Sequence, residues 1–246
     1  MQFHLEKSLL DYLIAADGLQ KDTVLANPRY VELFQDIDQH WRTEILQGEL
    51  DVDPFAAFLL GQSYFLWLAT VRSALSGHGT AVFPILRASL ESACYGYLLA
   101  HDPSARRCWL DRDDSPEHLK RFRRRFNQGV ADAAKLIGVD HAWVAQSITS
   151  MYDGAIMFGA HPNPRFLLNH VGLGERSGNR AELILTCLNA VDSDNTHCAL
   201  SASVEAGLTV STVNALSFAE HPRGASVVAG LHAIQAKMDQ VFAITR

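Results

Sequence analysis

Two long apolar segments limit what this chain can become. Residues 54–77, "PFAAFLLGQSYFLWLATVRSALSG", and 81–101, "AVFPILRASLESACYGYLLAH", are apolar nearly all the way round a helical wheel. That is the pattern of central helices, whereas 28–47 and 116–138 carry one apolar stripe each and belong at the periphery. Helix starts recur around them. Asn27-Pro28, Asp53-Pro54 and Ser115-Pro116 each set a capping side chain before a proline suited to the first helical position, the last with Glu117 following. The spacing predicts helices at about 4–16, 28–47, 54–77, 81–101, 104–111, 116–138, 140–159, 194–219 and 224–244. One stretch breaks the pattern: in 162–190, two apolar runs flank the turn-rich "GERSGN". It reads as a β-hairpin on the bundle edge, or else as a loop leading into a short helix near Glu182–Leu188. No Ser/Gly-rich linker, composition break or fixed-period repeat divides the chain. The expected architecture is all-α: one domain over 1–246, a bundle of eight or nine helices with a small hairpin insertion around 166–187.

Charge and cysteine usage narrow the function classes. A net charge of −6 argues against polyanion binding by the whole surface while leaving room for a local basic patch. Cys94, Cys108, Cys187 and Cys198 form no Cys-x-x-Cys pair, and the first residues, "MQFHLEKSLLDYL", alternate charge with Leu and lack the apolar core of an export signal. The expectation is a reduced, cytoplasmic setting. The most membrane-like run, "FAAFLLGQSYFLWLATV", is 17 residues long with Gln62 and Ser63 at its middle, which favours a buried helix over a membrane span.

Inside the second central helix stand two charges, Arg87 and Glu91. At 100° per residue they lie 40° apart, on the side shared by Pro84, Cys94 and Leu98, and their i,i+4 spacing suits an ion pair. Burying charge costs several kcal/mol unless it is paired and hydrogen-bonded, so polar company from another element must face them. Two readings stay open: a structural pair that fixes helix register, or a pocket that presents a guanidinium to an anionic ligand. The distant segment expected to contribute is "YDGAIMFGAHPNPR", where a helix ends at Gly159 and a rigid His161-Pro162-Asn163-Pro164 turn projects an imidazole and an amide. His161 could equally cap a free helix-terminal carbonyl.

The combination of Arg87-x-x-x-Glu91, Asp102-Pro103, Trp109, Tyr152 and His161 resembles uncharacterised bacterial helical proteins loosely related to the HEPN class, over about residues 80–165. The resemblance implies a helical bundle, a cytoplasmic location and a link to defence or RNA metabolism. Active HEPN nucleases carry an Arg followed by four to six residues and a His on one helix near a dimer seam. The spacing occurs here as Arg72/His78, Arg112/His118 and Arg165/His170, but these run off a helix end, cross Ser115-Pro116 and fall in the expected hairpin.

A second cationic feature is "RRCWLDRDDSPEHLKRFRRR", residues 106–125, with eight Lys or Arg against four Asp or Glu. Leu119, Phe122, Phe126, Val130, Ala133 and Ile137 form its apolar stripe, so the aromatics are core and Lys120, Arg121, Arg124 and Arg125 project from the other face. That face is either solvated surface or a phosphate-contacting surface for nucleic acid or a nucleotide. Glu-x-x-His, His-Glu-x-x-His, Gly-x-Ser-x-Gly and phosphate-loop motifs are absent, so no metal, cofactor or catalytic residue is assigned. The leading expectation is a homo-oligomeric, HEPN-like binding or interaction module holding an anionic ligand near Arg87, Glu91, Tyr152, His161 and Asn163. The alternative is an enzyme acting on RNA or a phosphorylated small molecule, with His161 as acid/base and Arg87 as anion clamp.

Overall fold

A computed structural model describes residues 8–47, 52–160, 171–177, 180–185, 187–218 and 223–245. The fold is all-α. In chain order the helices are α1 (Leu9–Ala26), α2 (Pro28–His40), α3 (Pro54–Leu75), α4 (Gly79–His101), α5 (Pro103–Leu110), α6 (Pro116–Phe126), α7 (Gly129–Ile137), α8 (Ala142–Ala155), α9 (Asp194–Leu216) and α10 (Gly224–Thr245). Wide π-type turns extend α2 over Trp41–Ile45 and α8 over Ile156–Ala160, and a 3-10 turn at Asp111–Asp113 joins α5 to α6. Between α8 and α9 stands the expected hairpin: β1 (Val171–Ser177) pairs antiparallel with β2 (Arg180–Leu185), from Val171 opposite Leu185 to Ser177 opposite Arg180, with an irregularity between Leu173 and Arg176.

The proline-marked starts are where the chemistry puts them. Asp53 accepts from the amides of Phe55 and Ala56, and Ser115 from that of His118, each ahead of a proline that has no N–H to satisfy. Asn27 differs from the expectation. Its side chain turns back and donates to the Thr23 carbonyl at 3.2 Å, closing α1 rather than capping α2. The expected first helix ended at residue 16, yet α1 continues to Ala26, because Thr23 is buried and Asp17 is held by Arg72 at 2.6 Å. Residues 1–7 lie outside the described residues.

Among the described residues, ten helices rather than eight or nine follow from a break inside 116–138. Tyr95 on α4 donates its hydroxyl to the Phe126 carbonyl at 2.9 Å, taking an acceptor the helix would otherwise use. Gly129 then meets the same ring so closely that a Cβ there would lie 2.5 Å from Tyr95 Cε1. The chain bends at Asn127-Gln128, and the apolar stripe survives: Phe126, Val130, Ala133 and Ile137 are all buried.

At the centre lie α3, α4 and α9. Among the described residues α3 alone is long and apolar enough to cross a membrane, and eight of its residues are buried in the bundle. The most buried helix is α9, whose sequence is only moderately apolar: fourteen of its 23 residues are buried, among them Ser203, Thr209, Ser211, Thr212 and Asn214. Helical geometry removes much of the penalty. Ser203, Ser211 and Thr212 donate to the carbonyls of Ala199, Gly207 and Leu208 one turn earlier, and Asn214 donates to Val210 and to Ser63 on α3.

Candidate functional site

The first cluster grows from the two charges on α4. Arg87 Nε donates to Glu91 Oε1 at 2.9 Å along the helix, and Tyr152 arrives from α8 to bond both: its hydroxyl donates to Glu91 Oε1 at 3.0 Å and accepts from Arg87 Nη2 at 3.2 Å. The guanidinium also lies 5.3 Å from the centre of the Tyr152 ring. The side chains of Arg87 and Glu91 are 28% and 27% exposed, so they are half-buried, while Cys94 and Leu98 on the same side of α4 are fully buried.

Electrostatics sets the protonation of this cluster. Burial works against the charged form of Arg87, but the bond and charge of Glu91 outweigh it and the guanidinium is held above its ordinary range. Burial, followed by the Glu91 charge, pushes the Tyr152 phenol up, and the same two causes push Tyr95 up to about 12. At neutral pH the phenols are therefore donors, not bases. The positive and negative charges cancel, and the geometry ties α4 to α8.

The structure thus brings together Arg87, Glu91 and Tyr152. His161 and Asn163 lie outside the described residues. Among the described residues, Gly159 packs against Phe83 and Pro84, one turn from Arg87. The Arg-to-His spacings within the described residues hold structural partners. Arg72 pairs with Asp17 while His78 contacts Tyr12 and Ser76; Arg112 stacks on Trp109 and Phe122 while His118 lies 3.8 Å from Asp114. Arg165 and His170 fall outside the described residues.

The second candidate is cationic and open. Asp102 caps α5 through the amides of Ser104 and Ala105, and the 3-10 turn folds α6 back against α5. Between them is a cleft of about 500 Å³ lined by Ser104, Arg107, Cys108, Arg121, Arg124, Arg125, Gln128 and Asp132. Four arginines against one aspartate give its walls a formal charge of +3. Arg125 is half-buried and engaged by Asp102 at 3.0 Å and by Asp132, so its charge is already compensated. Arg121 lies 3.7 Å from Asp111. Arg107 and Arg124 are exposed and make no ion pair among the described residues, and neither do Lys120 and Arg123 on the outer face of α6.

Sequence reasoning found the α6 arginines and missed Arg107, which the fold of α5 on α6 carries into the same cleft. The helix-start signal at Asp102-Pro103 followed by Arg107 was the available clue. It also missed that Asp102 and Asp132 hold Arg125, since these contacts reach 23 and 7 residues along the chain. Among the described residues no group of three or more His, Cys, Asp or Glu is placed to hold a metal ion. Comparison with models of known families, with curated proteins and with solved structures gave no match, so the HEPN-like resemblance rests on its short motifs alone.

Proposed function

We propose that the protein is a binding module for a phosphate-bearing ligand, which it recognises through the α5–α6 cleft. The observation that carries this reading is the convergence of Arg107, Arg121 and Arg124 on one open cleft, in a chain whose overall charge is −6. A guanidinium offers a planar fork of donors that matches two phosphate oxygens, and the forks of Arg107 and Arg124, without ion pairs among the described residues, beside the loosely paired Arg121 suit that ligand better than isolated surface charges do. The Arg87–Glu91–Tyr152 cluster supports a different role. Its guanidinium already bonds a carboxylate and a phenol, which favours the register-fixing reading over the anion clamp. HEPN-like character, cytoplasmic location and a homo-oligomeric state belong to the same proposal, on the sequence features given above.

The test is a salt titration. Fluorescently labelled single-stranded RNA and ATP are the two probes, which separate a strand from a nucleotide. For the strand, each phosphate contact adds ~0.7 to the slope of log affinity against log salt. Replacing Arg107, Arg121 and Arg124 together by Gln removes up to three contacts, and the slope is expected to fall by about 2. If neither probe binds the intact protein at low salt, or the triple variant binds both unchanged, this function is wrong.

A further inference from the structure

The largest of the cavities described lies on other helices and is of opposite character. Its floor is α9, with Leu208, Thr212, Ala215 and Leu216, and α8 and α10 form its walls. It measures about 730 Å³, within the range of small-ligand sites of ~300–1,000 Å³. A smaller cleft of about 370 Å³ continues it along α9, sharing Trp143, Val144, Ser147, Leu208 and Gln235. Two large apolar side chains stand open to water on its opposite walls: Trp143 is 52% exposed and Val228 50%.

The polar groups specify what would fill it. Among the described residues the lining contains no Asp, Glu, Lys or Arg. Ser147 and Thr212 have already donated their hydroxyl protons to the carbonyls of Trp143 and Leu208, at 3.1 and 2.8 Å. Gln235 donates to Asp239 at 2.8 Å. Left over are two exposed imidazoles at the edge, His141 and His232, neither with a bonded partner among the described residues. His141 also directly precedes α8, whose first turn has no side-chain cap. Among the described residues the groove thus has a long apolar wall, imidazole donors at the rim and no carboxylate of its own, Glu205 lining the adjoining smaller cleft.

We propose that the α8–α9–α10 groove binds an aliphatic carboxylic acid, a fatty-acid-like ligand whose chain lies against Trp143, Leu208, Leu216 and Val227 and whose carboxylate takes hydrogen bonds from His141 and His232. This stands independently of the α5–α6 cleft, which lies on other helices and would keep its phosphate chemistry whatever fills the groove.

The experiment uses the intact protein, with dodecanoate and the neutral dodecan-1-ol as probes. Trp143 is the natural reporter, because it alone of the four tryptophans lines the groove: Trp41 and Trp67 are only 1% exposed and Trp109 lies on α5. Dodecanoate is expected to change the emission saturably, and Trp143→Phe to remove most of the signal. Val228→Glu, at a half-exposed position that tolerates a charge, puts a carboxylate in the groove and should weaken dodecanoate at least tenfold; Ala215→Trp, which fills the floor, should do the same. His141→Ala with His232→Ala should weaken dodecanoate about tenfold, the scale of one charge-assisted hydrogen bond, while leaving dodecanol within about twofold. Absence of saturable binding, or unchanged wild-type affinity in both Val228→Glu and Ala215→Trp, overturns the proposal. So does an equal effect of the histidine pair on both probes. If light scattering finds a dimer that Val228→Glu dissociates and that dodecanoate leaves intact, a second copy fills the groove and the proposal is refuted.

Discussion

Replacing Arg87 by Met isolates the balance of charge on α4. Methionine keeps much of the aliphatic stem against Tyr152 while removing the donor to Glu91, whose remaining partner is the Tyr152 hydroxyl at 3.0 Å. Two limits bracket the cost. An exposed ion pair contributes about 0–1 kcal/mol, and removing one partner of a fully buried pair costs about 3–5 kcal/mol. With the side chains 28% and 27% exposed, the expected loss lies between these, at about 2 kcal/mol. For a chain of this size that corresponds to a fall in melting temperature of roughly 4–8 °C. Urea unfolding followed by Trp fluorescence measures it, with Glu91→Gln and the double variant completing the cycle. The double variant should recover about 1 kcal/mol of the single loss, because no uncompensated charge is left. A loss below about 0.5 kcal/mol, or strict additivity in the cycle, would mean the pair is solvated and the α4–α8 tie does not stabilise the fold.

Three other predictions test the core, the titration and the cleft. Gly207 faces Trp67 so closely that an alanine Cβ would lie 2.5 Å from the indole nitrogen, which donates to Ser203 at 2.9 Å. Gly207→Ala should therefore destabilise by about 1–2 kcal/mol in denaturant unfolding, although helix propensity alone favours alanine by about 1 kcal/mol. Burial first, and then the charge of Arg72, hold the His78 imidazole below its ordinary value of 6.5. A depressed histidine binds fewer protons folded than unfolded, so its contribution is complete above the unfolded pKa and is lost as pH falls below it. Thermal melts should show stability dropping from pH 7.5 to 5.5, and a shallower drop in His78→Gln. Asp132→Asn removes the one carboxylate that lines the α5–α6 cleft among the described residues and loosens Arg125; RNA affinity at low salt should rise about two- to threefold.

Much of the fold was legible because its signals are local. Asp53-Pro54 and Ser115-Pro116 mark helix starts through bonds that span two or three residues, and a turn-rich "GERSGN" between apolar runs marks a hairpin for the same reason. The all-round apolarity of α3 and α4 announced their central place, and the i,i+4 spacing of Arg87 and Glu91 announced their pairing. What the sequence did not disclose depends on atoms far apart along the chain. The depth of α9 is hidden because its serines and threonines look polar until one sees them bonded to carbonyls a turn away. The break after Phe126 needs a hydroxyl from Tyr95, 31 residues distant, and the partner of Arg87 and Glu91 is a tyrosine 65 and 61 residues away.

The same division holds for function. Sequence alone determined that a cationic segment exists at 106–125 within an acidic chain, because charge is additive and needs no coordinates. Only the tertiary structure decided which of those arginines remain free. Asp102 and Asp132 hold Arg125, while the return of α6 against α5 brings Arg107 beside Arg121 and Arg124. Likewise, no sequence pattern shows the groove between α8 and α10, since its lining is ordinary apolar helix until a third helix, α9, sets its floor. A charge belongs to a residue, whereas a cavity belongs to the arrangement of several helices.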